Sequence, residues 1–112
     1  MKEQFICKDK NQWDEVAPGV SRTIMSYNDN LMIVKVRFAK DAIGALHTHP
    51  HTQGCFVAEG RFELEIDSKK YTLEKGDTFL AEPNIPHGVV CLDAGMLVDI
   101  FTPKREDFLS SE

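Results

Sequence analysis

The sequence predicts an all-β fold, a single domain built as a small barrel or sandwich of about eight or nine short strands. Three observations predict it. Apolar and polar residues alternate in short runs, the period of a strand with one face in a core. Helical periodicity is almost absent. Turn signals recur at close intervals, with Gly44, Gly60, Gly76 and Gly95 the prominent ones.

Taken in order, Val20–Tyr27 reads as a strand and Asn28-Asp29-Asn30 as its turn. Residues 31–38 make a strong strand with Met32, Val34, Val36 and Phe38 on one face. Lys35 and Arg37 fall on the other, read as a solvated face in preference to the lining of an anion pocket. Lys40-Asp41-Ala42-Ile43-Gly44 turns the chain into a histidine-rich segment. Residues 53–59 form the next strand, which Gly60 breaks or bends. Phe62, Leu64 and Ile66 alternate with Glu63 and Glu65, the mark of a half-buried strand. Asp67-Ser68-Lys69-Lys70 is a hairpin into residues 71–74, Lys75-Gly76-Asp77 is a turn, and Thr78–Ala81 is extended. Pro83-Asn84-Ile85-Pro86 sets a rigid corner. Residues 89–92 and 96–101 are the last two strands, joined through Asp93-Ala94-Gly95, and Glu106–Leu109 forms a helical turn. Residues 1–19 carry no clear pattern; Trp13 is expected outside the barrel or at a dimer contact. The apolar strand 31–38 is a second candidate contact surface, although periodicity cannot separate interface from core.

A chain of 112 residues that is 42% hydrophobic suits one domain over 1–112, the barrel at about 20–103 between a short N-terminal arm and a C-terminal tail. The formal net charge is -5 and the 13 basic residues are scattered, so no nucleic-acid stripe exists. No apolar run approaches a membrane span. Met1-Lys2-Glu3-Gln4 lacks the apolar core of a signal peptide, and Cys7, Cys55 and Cys91 are odd in number without CxxC spacing. Reduced thiols and a cytoplasmic location are expected.

His47, His49, Gln53 and His87 carry the chemistry. Alternation along a strand puts His47 and His49 on one face, about 6–7 Å apart at Cα. Two imidazoles that close can share a divalent metal. Gln53 keeps the parity and offers an oxygen, and His87 arrives from the Pro-Asn-Ile-Pro corner to close the site. His51 follows Pro50, so its direction is not fixed by parity; a loop or supporting role is expected rather than ligation. Cys55 and Cys91 share the inward parity and are expected to pack as small hydrophobes rather than approach the metal.

Asp99, Phe101 and Arg105 form a second constellation. If the face shared by Leu97, Asp99 and Phe101 looks into the barrel, burial raises the Asp99 pKa toward a value useful for proton transfer. Arg105, after Pro103, could then bind a substrate carboxylate through two parallel hydrogen bonds. Equally, Asp99 could face solvent and Arg105 sit in a charged tail with Lys104, Glu106 and Asp107.

These residues resemble the cupin superfamily. Its first motif, Gly, His-x-His, Glu or Gln, then Gly, is matched by Gly44, His47, His49, Gln53 and Gly60, with the first glycine closer than usual. Its second, Gly-Asp, Pro, His, is matched by Gly76, Asp77, Pro83 and His87. The resemblance implies a small double-stranded barrel or jelly roll with one divalent transition metal (nickel, zinc, manganese, iron, cobalt or copper), and a homodimer. Gln53 in place of a carboxylate leaves the ion's charge uncompensated, which favours an anionic substrate or a developing oxyanion.

A narrower resemblance, to pectin-degradation cupins of the KdgF type, rests on His47-Thr-His-Pro-His-Thr-Gln53, Val16-Ala-Pro-Gly-Val-Ser-Arg22 and the run from Asp99 to Phe108. It implies an enzyme that converts 4,5-unsaturated monouronates, released from pectin or alginate, to the linear 4-deoxy-5-keto uronate. It also implies Asp99, Phe101 and Arg105 as active-site residues. Asp99 would transfer the proton, Arg105 would hold the uronate carboxylate and Phe101 would pack on the sugar. Two rivals share the same metal site. A cupin dioxygenase would consume oxygen, and a non-catalytic sugar-acid binder would be stabilised by ligand without turnover.

Overall fold

The computed structural model describes residues 6–9 and 12–109. The Met1-Lys2-Glu3-Gln4 segment lies outside them. The described chain forms strands β1 (Asp14–Ala17), β2 (Val20–Tyr27), β3 (Met32–Phe38), β4 (Ile43–His47), β5 (Thr52–Ile66), β6 (Lys69–Glu74), β7 (Thr78–Ala81) and β8 (His87–Thr102), then one helical turn, α1 (Glu106–Leu109). The strand order is β1-β2-β3-β8-β5-β6, with β4 added on β8 and β7 on β5, all paired antiparallel.

Two long strands organise this sheet. The first half of β5 lies between β7 and the second half of β8, whose other neighbour is β3. The second half of β5 lies between β6 and the first half of β8, whose other neighbour is β4. The two halves fold face to face as a jelly roll, an all-β cupin-type architecture. Phe38 of β3 meets Phe62 of β5 edge-to-face across the interior, with ring centroids 5.2 Å apart.

Of the two readings of Gly60, the bend holds: β5 continues through it to Ile66. Asp93-Ala94-Gly95 corrects an expectation, since it lies inside β8 instead of joining two strands. The β5–β8 register slips between Val57 and Phe62, so the two strands bulge and cross closely there. Gly60 has φ +83°, and a Cβ on it would come 2.5 Å from the Asp93 carbonyl oxygen; one on Gly95 would collide with the Glu59 carbonyl. These glycines permit close approach of two strands, not a reversal. Gly44, read as part of a turn, likewise sits within β4.

Other turns follow their residues. The Asn28 side-chain oxygen accepts from the Asn30 and Leu31 amides at 2.8 and 2.9 Å. Asp67 and Ser68 both adopt positive φ, 50° and 66°, and make the two-residue turn between β5 and β6. β1 escaped the sequence reading because its Asp-Glu-Val-Ala is short and mostly exposed, with no apolar alternation. Trp13 does lie outside the barrel, with the Arg37 guanidinium 4.0 Å above its ring.

One buried cluster joins Val20, Phe38, Cys55, Val57, Phe62, Cys91 and Leu97; a second joins Tyr27, Met32, Val34, Phe101 and Leu109. Met32, Val34 and Phe38 are therefore core residues, so the apolar stripe of residues 31–38 is not a surface. A cavity opens between members of both clusters.

Candidate active site

The ends of β4 and β8 meet at the cavity. His47, the last residue of β4, pairs with His87, the first of β8, and their ring centroids are 4.5 Å apart. His49 lies beyond the strand end, so strand parity is not what brings it in. The prolyl corner does: the Asn84 amide donates to the His49 carbonyl at 2.8 Å. The His49 ring then stands 5.4 Å from that of His47 and 4.8 Å from that of His87. His49, Gln53 and His87 are buried, while His47 is exposed at the mouth.

The hydrogen bonds fix which nitrogen of each ring faces inward. Nδ1 of His47, His49 and His87 lies 2.8, 3.0 and 2.9 Å from the backbone carbonyls of Ala45, His51 and Ile85. A carbonyl only accepts, so each Nδ1 donates, and the neutral form of each ring presents a bare Nε2 lone pair. Gln53 Oε1 lies 2.9 Å from His49 Nε2 and 3.0 Å from His87 Nε2. With its oxygen toward the histidines, Gln53 turns its N–H side to Asp99, whose ionised form it favours. Lone pairs from three rings and an amide thus converge with no proton among them. This donor set fits a cation, and the candidate ligand nitrogens of His47, His49 and His87 all lie within 4.8 Å of one another. Burial lowers the His87 pKa, which keeps its ring neutral and ready to ligate.

Asp99 is the second element. Cross-strand pairing of β5 with β8 sets Gln53 beside Phe101 and Cys55 beside Asp99 on the inward face. Leu97, Asp99 and Phe101 are all buried, so that face does look into the barrel. Burial pushes the Asp99 pKa up to about 6, against the pull of hydrogen bonds from Cys55 and Gln53. Its Oδ1 is buried without a partner. The Cys55 thiol is driven up by burial and by Asp99, so it stays protonated and acts as a donor. Cys91 belongs to the core cluster away from the histidines, its thiol 3.1 Å from the Asp93 carbonyl.

A cavity of about 240 Å³ connects these groups, lined by His47, Gln53, His87, Asp99, Phe101 and Arg105, among others. That volume is enough to admit one small molecule. Arg105 follows the β8 strand and lies 5.0 Å from the Phe101 ring centroid and 4.2 Å from that of Phe108. Asp107 grips one edge of the guanidinium: Nε donates to Oδ1 at 3.0 Å and Nη2 to Oδ2 at 2.8 Å. The opposite edge keeps its N–H groups for another acceptor.

His51 is half-buried and is not part of the convergent set; its carbonyl orients His49, a supporting part. Lys35 faces outward to Asp9 at 3.5 Å, and Arg37 covers Trp13, so neither lines the cavity. The sequence reading missed Arg22 and Phe108, both in the cavity wall. Arg22 had a legible signal: it shares parity with Val20 and Ile24, so a cation occupies an inward position.

A fold of this kind around a His-x-His and a later histidine is that of the cupins, and the family model for the cupin domain matches residues 34–101. The chain belongs to that family. Within it, the chain belongs with the KdgF proteins: it is 46% identical to pectin degradation protein KdgF of Dickeya dadantii (strain 3937) over 111 residues, 97% of this chain and 100% of that protein. Among solved structures, KdgF from Halomonas sp. superposes with a TM-score of 0.88 at 35% identity, covering 92% of this chain and 96% of that one. An RmlC-like cupin from Shewanella frigidimarina NCIMB 400 gives 0.91 at 35% identity, covering 96% and 99%.

Proposed function

We propose that this protein is a metal-dependent pectin-degradation enzyme that opens 4,5-unsaturated monouronates to the linear 4-deoxy-5-keto uronate, an isomerisation. One observation carries the reading: a buried carboxylate with an unpartnered oxygen lines a cavity that also holds a cation-ready donor set and a guanidinium. The pectin-degradation role of the Dickeya relative supports it.

The substrate is an enol ether closed into a hemiacetal. Asp99 Oδ1 takes the proton of the anomeric hydroxyl. The C1–O5 bond breaks, C1 becomes an aldehyde, and the electron pair stays on O5 as an enolate conjugated to C4. Asp99, now protonated, delivers its proton to C4, and C5 becomes the ketone. Atoms and electrons balance with no redox change. A carboxyl poised near pH 6 can do both jobs, since neither its acid nor its base form is strongly favoured. Gln53 and Cys55 steady the carboxylate between the two transfers. A divalent metal held by His47, His49, Gln53 and His87 would supply positive charge where the enolate develops. Arg105 offers its free edge to the uronate carboxylate, and the Phe101 ring packs on the sugar.

The test is direct. Purified protein is mixed with an unsaturated monouronate, and the ultraviolet absorbance of the conjugated double bond is followed. Loss of absorbance far above the buffer rate, with the keto acid as product, is expected. Stabilisation by the sugar with no absorbance loss would instead mark a binder, and oxygen uptake would mark a dioxygenase.

A further inference from the structure

Arg22 breaks the pattern of its strand. Before the register shift after Ile24, the inward residues of β2 are Val20, Arg22 and Ile24, paired across the ladder with Phe38, Val36 and Val34. A half-buried guanidinium in this aliphatic row costs desolvation. Burial lowers its pKa, and the neighbouring Arg105 charge lowers it further. Among the described residues the Arg22 guanidinium has no hydrogen-bond or ion-pair partner. Its contact is with Phe108, 3.6 Å above the ring centroid. Arg105 lies over the same ring at 4.2 Å. The two guanidinium carbons are therefore no more than about 8 Å apart, and both residues line the same cavity.

The charges differ in how they are matched. Asp107 is bidentate on Arg105 and cancels it, whereas the acidic groups nearest Arg22, Asp107 and Asp14, act on it only through space. The chain as a whole carries -5. An anion entering this cavity is thus drawn mainly by Arg22. Resting on the uronate reading above, we propose that Arg22 and the free edge of Arg105 form a two-armed carboxylate clamp, with Arg22 the residue that selects acidic over neutral sugars.

Arg22→Leu tests this, because it keeps an apolar side chain in an apolar row. KM for the unsaturated monouronate should rise roughly 10- to 100-fold, the value of one charge-assisted hydrogen-bond pair, with kcat changed less than about threefold. Calorimetric affinity for galacturonate, a saturated uronate, should fall by a similar factor, while the neutral methyl ester of galacturonate binds both proteins equally. Arg22→Lys keeps the charge without the fork and should fall between. Arg22→Gln carries the same expectations should the leucine variant not fold. Unchanged KM and unchanged galacturonate affinity in these variants would overturn the clamp while leaving the enzymatic reading intact. If the wild-type protein turns over no unsaturated monouronate, yet loses galacturonate affinity with Arg22, the enzymatic reading fails and the clamp stands.

Discussion

The Gln53 side chain stands between Asp99 and the histidines: its amide N–H side favours the ionised Asp99 carboxylate, and its oxygen faces His49 Nε2 at 2.9 Å and His87 Nε2 at 3.0 Å. A carboxamide does both; a carboxylate cannot. Gln53→Glu loses the N–H and sets two carboxylates side by side, which raises the proton affinity of Asp99 further. Metal should still bind, since glutamate is a competent ligand, but turnover should fall roughly 10- to 100-fold. Metal content and kcat measured on one preparation check this; a variant at wild-type rate contradicts it.

Asp99 sits buried in the cavity at the expense of stability. Its folded pKa, about 6 because of burial, lies above the unfolded value near 3.9. The native state therefore holds the proton more tightly. Stability falls as pH rises between those two values, and the penalty is complete above pH 6. Asp99→Asn should accordingly stabilise chelator-treated protein at pH 7.5 by about 1–3 kcal/mol while abolishing turnover. Urea unfolding reads the first effect and the absorbance assay the second. In the metal-loaded protein the cation's charge favours the carboxylate, so wild-type turnover should climb with pH over a range below about 6, where Asp99 becomes a base.

Asp107 positions Arg105 through two short hydrogen bonds. Asp107→Asn loosens the guanidinium, yet leaves its charge less cancelled. The loss of orientation and the gain in attraction oppose each other. KM is expected to move less than about fivefold and to become more salt-sensitive, because a mobile, unmatched charge acts through Coulomb attraction that ions screen. A KM independent of salt in both proteins would contradict this.

Phe62, fully buried and packed edge-to-face on Phe38, closes the interior between the two halves of the barrel. Phe62→Ala should cost about 3–5 kcal/mol, read as a lower midpoint in chemical denaturation. A loss under about 1 kcal/mol would mean the site collapses on the cavity more readily than packing allows.

The sequence was legible where one signal had one meaning. Val20–Tyr27 and Thr78–Ala81 coincide with strands, and the paired motifs name the four groups found facing one another: His47, His49, Gln53 and His87. It was misleading where a signal has two meanings. Glycine at Gly60 and Gly95 marks a reversal or a close strand crossing, and only the long-range pairing of β5 with β8 decides which. His49 reaches the site by a loop pinned to Asn84, although strand parity also predicted its direction. Whether Asp99 faced core or solvent depended on which side of β8 the barrel closed. Arg22 is inward by its parity with Val20 and Ile24, and its pairing with Val36 in the ladder agrees.

Convergence of four lone pairs without a proton is the physical root of the proposed chemistry, so the decisive measurement is metal-dependent turnover. Protein stripped with chelator and assayed on unsaturated monouronate should lose at least about 100-fold in rate. It should regain that rate on adding one equivalent of a divalent transition metal, and His87→Ala should neither hold the ion nor recover. Full activity in rigorously metal-free protein would contradict the assignment of these residues to a metal-supported isomerisation.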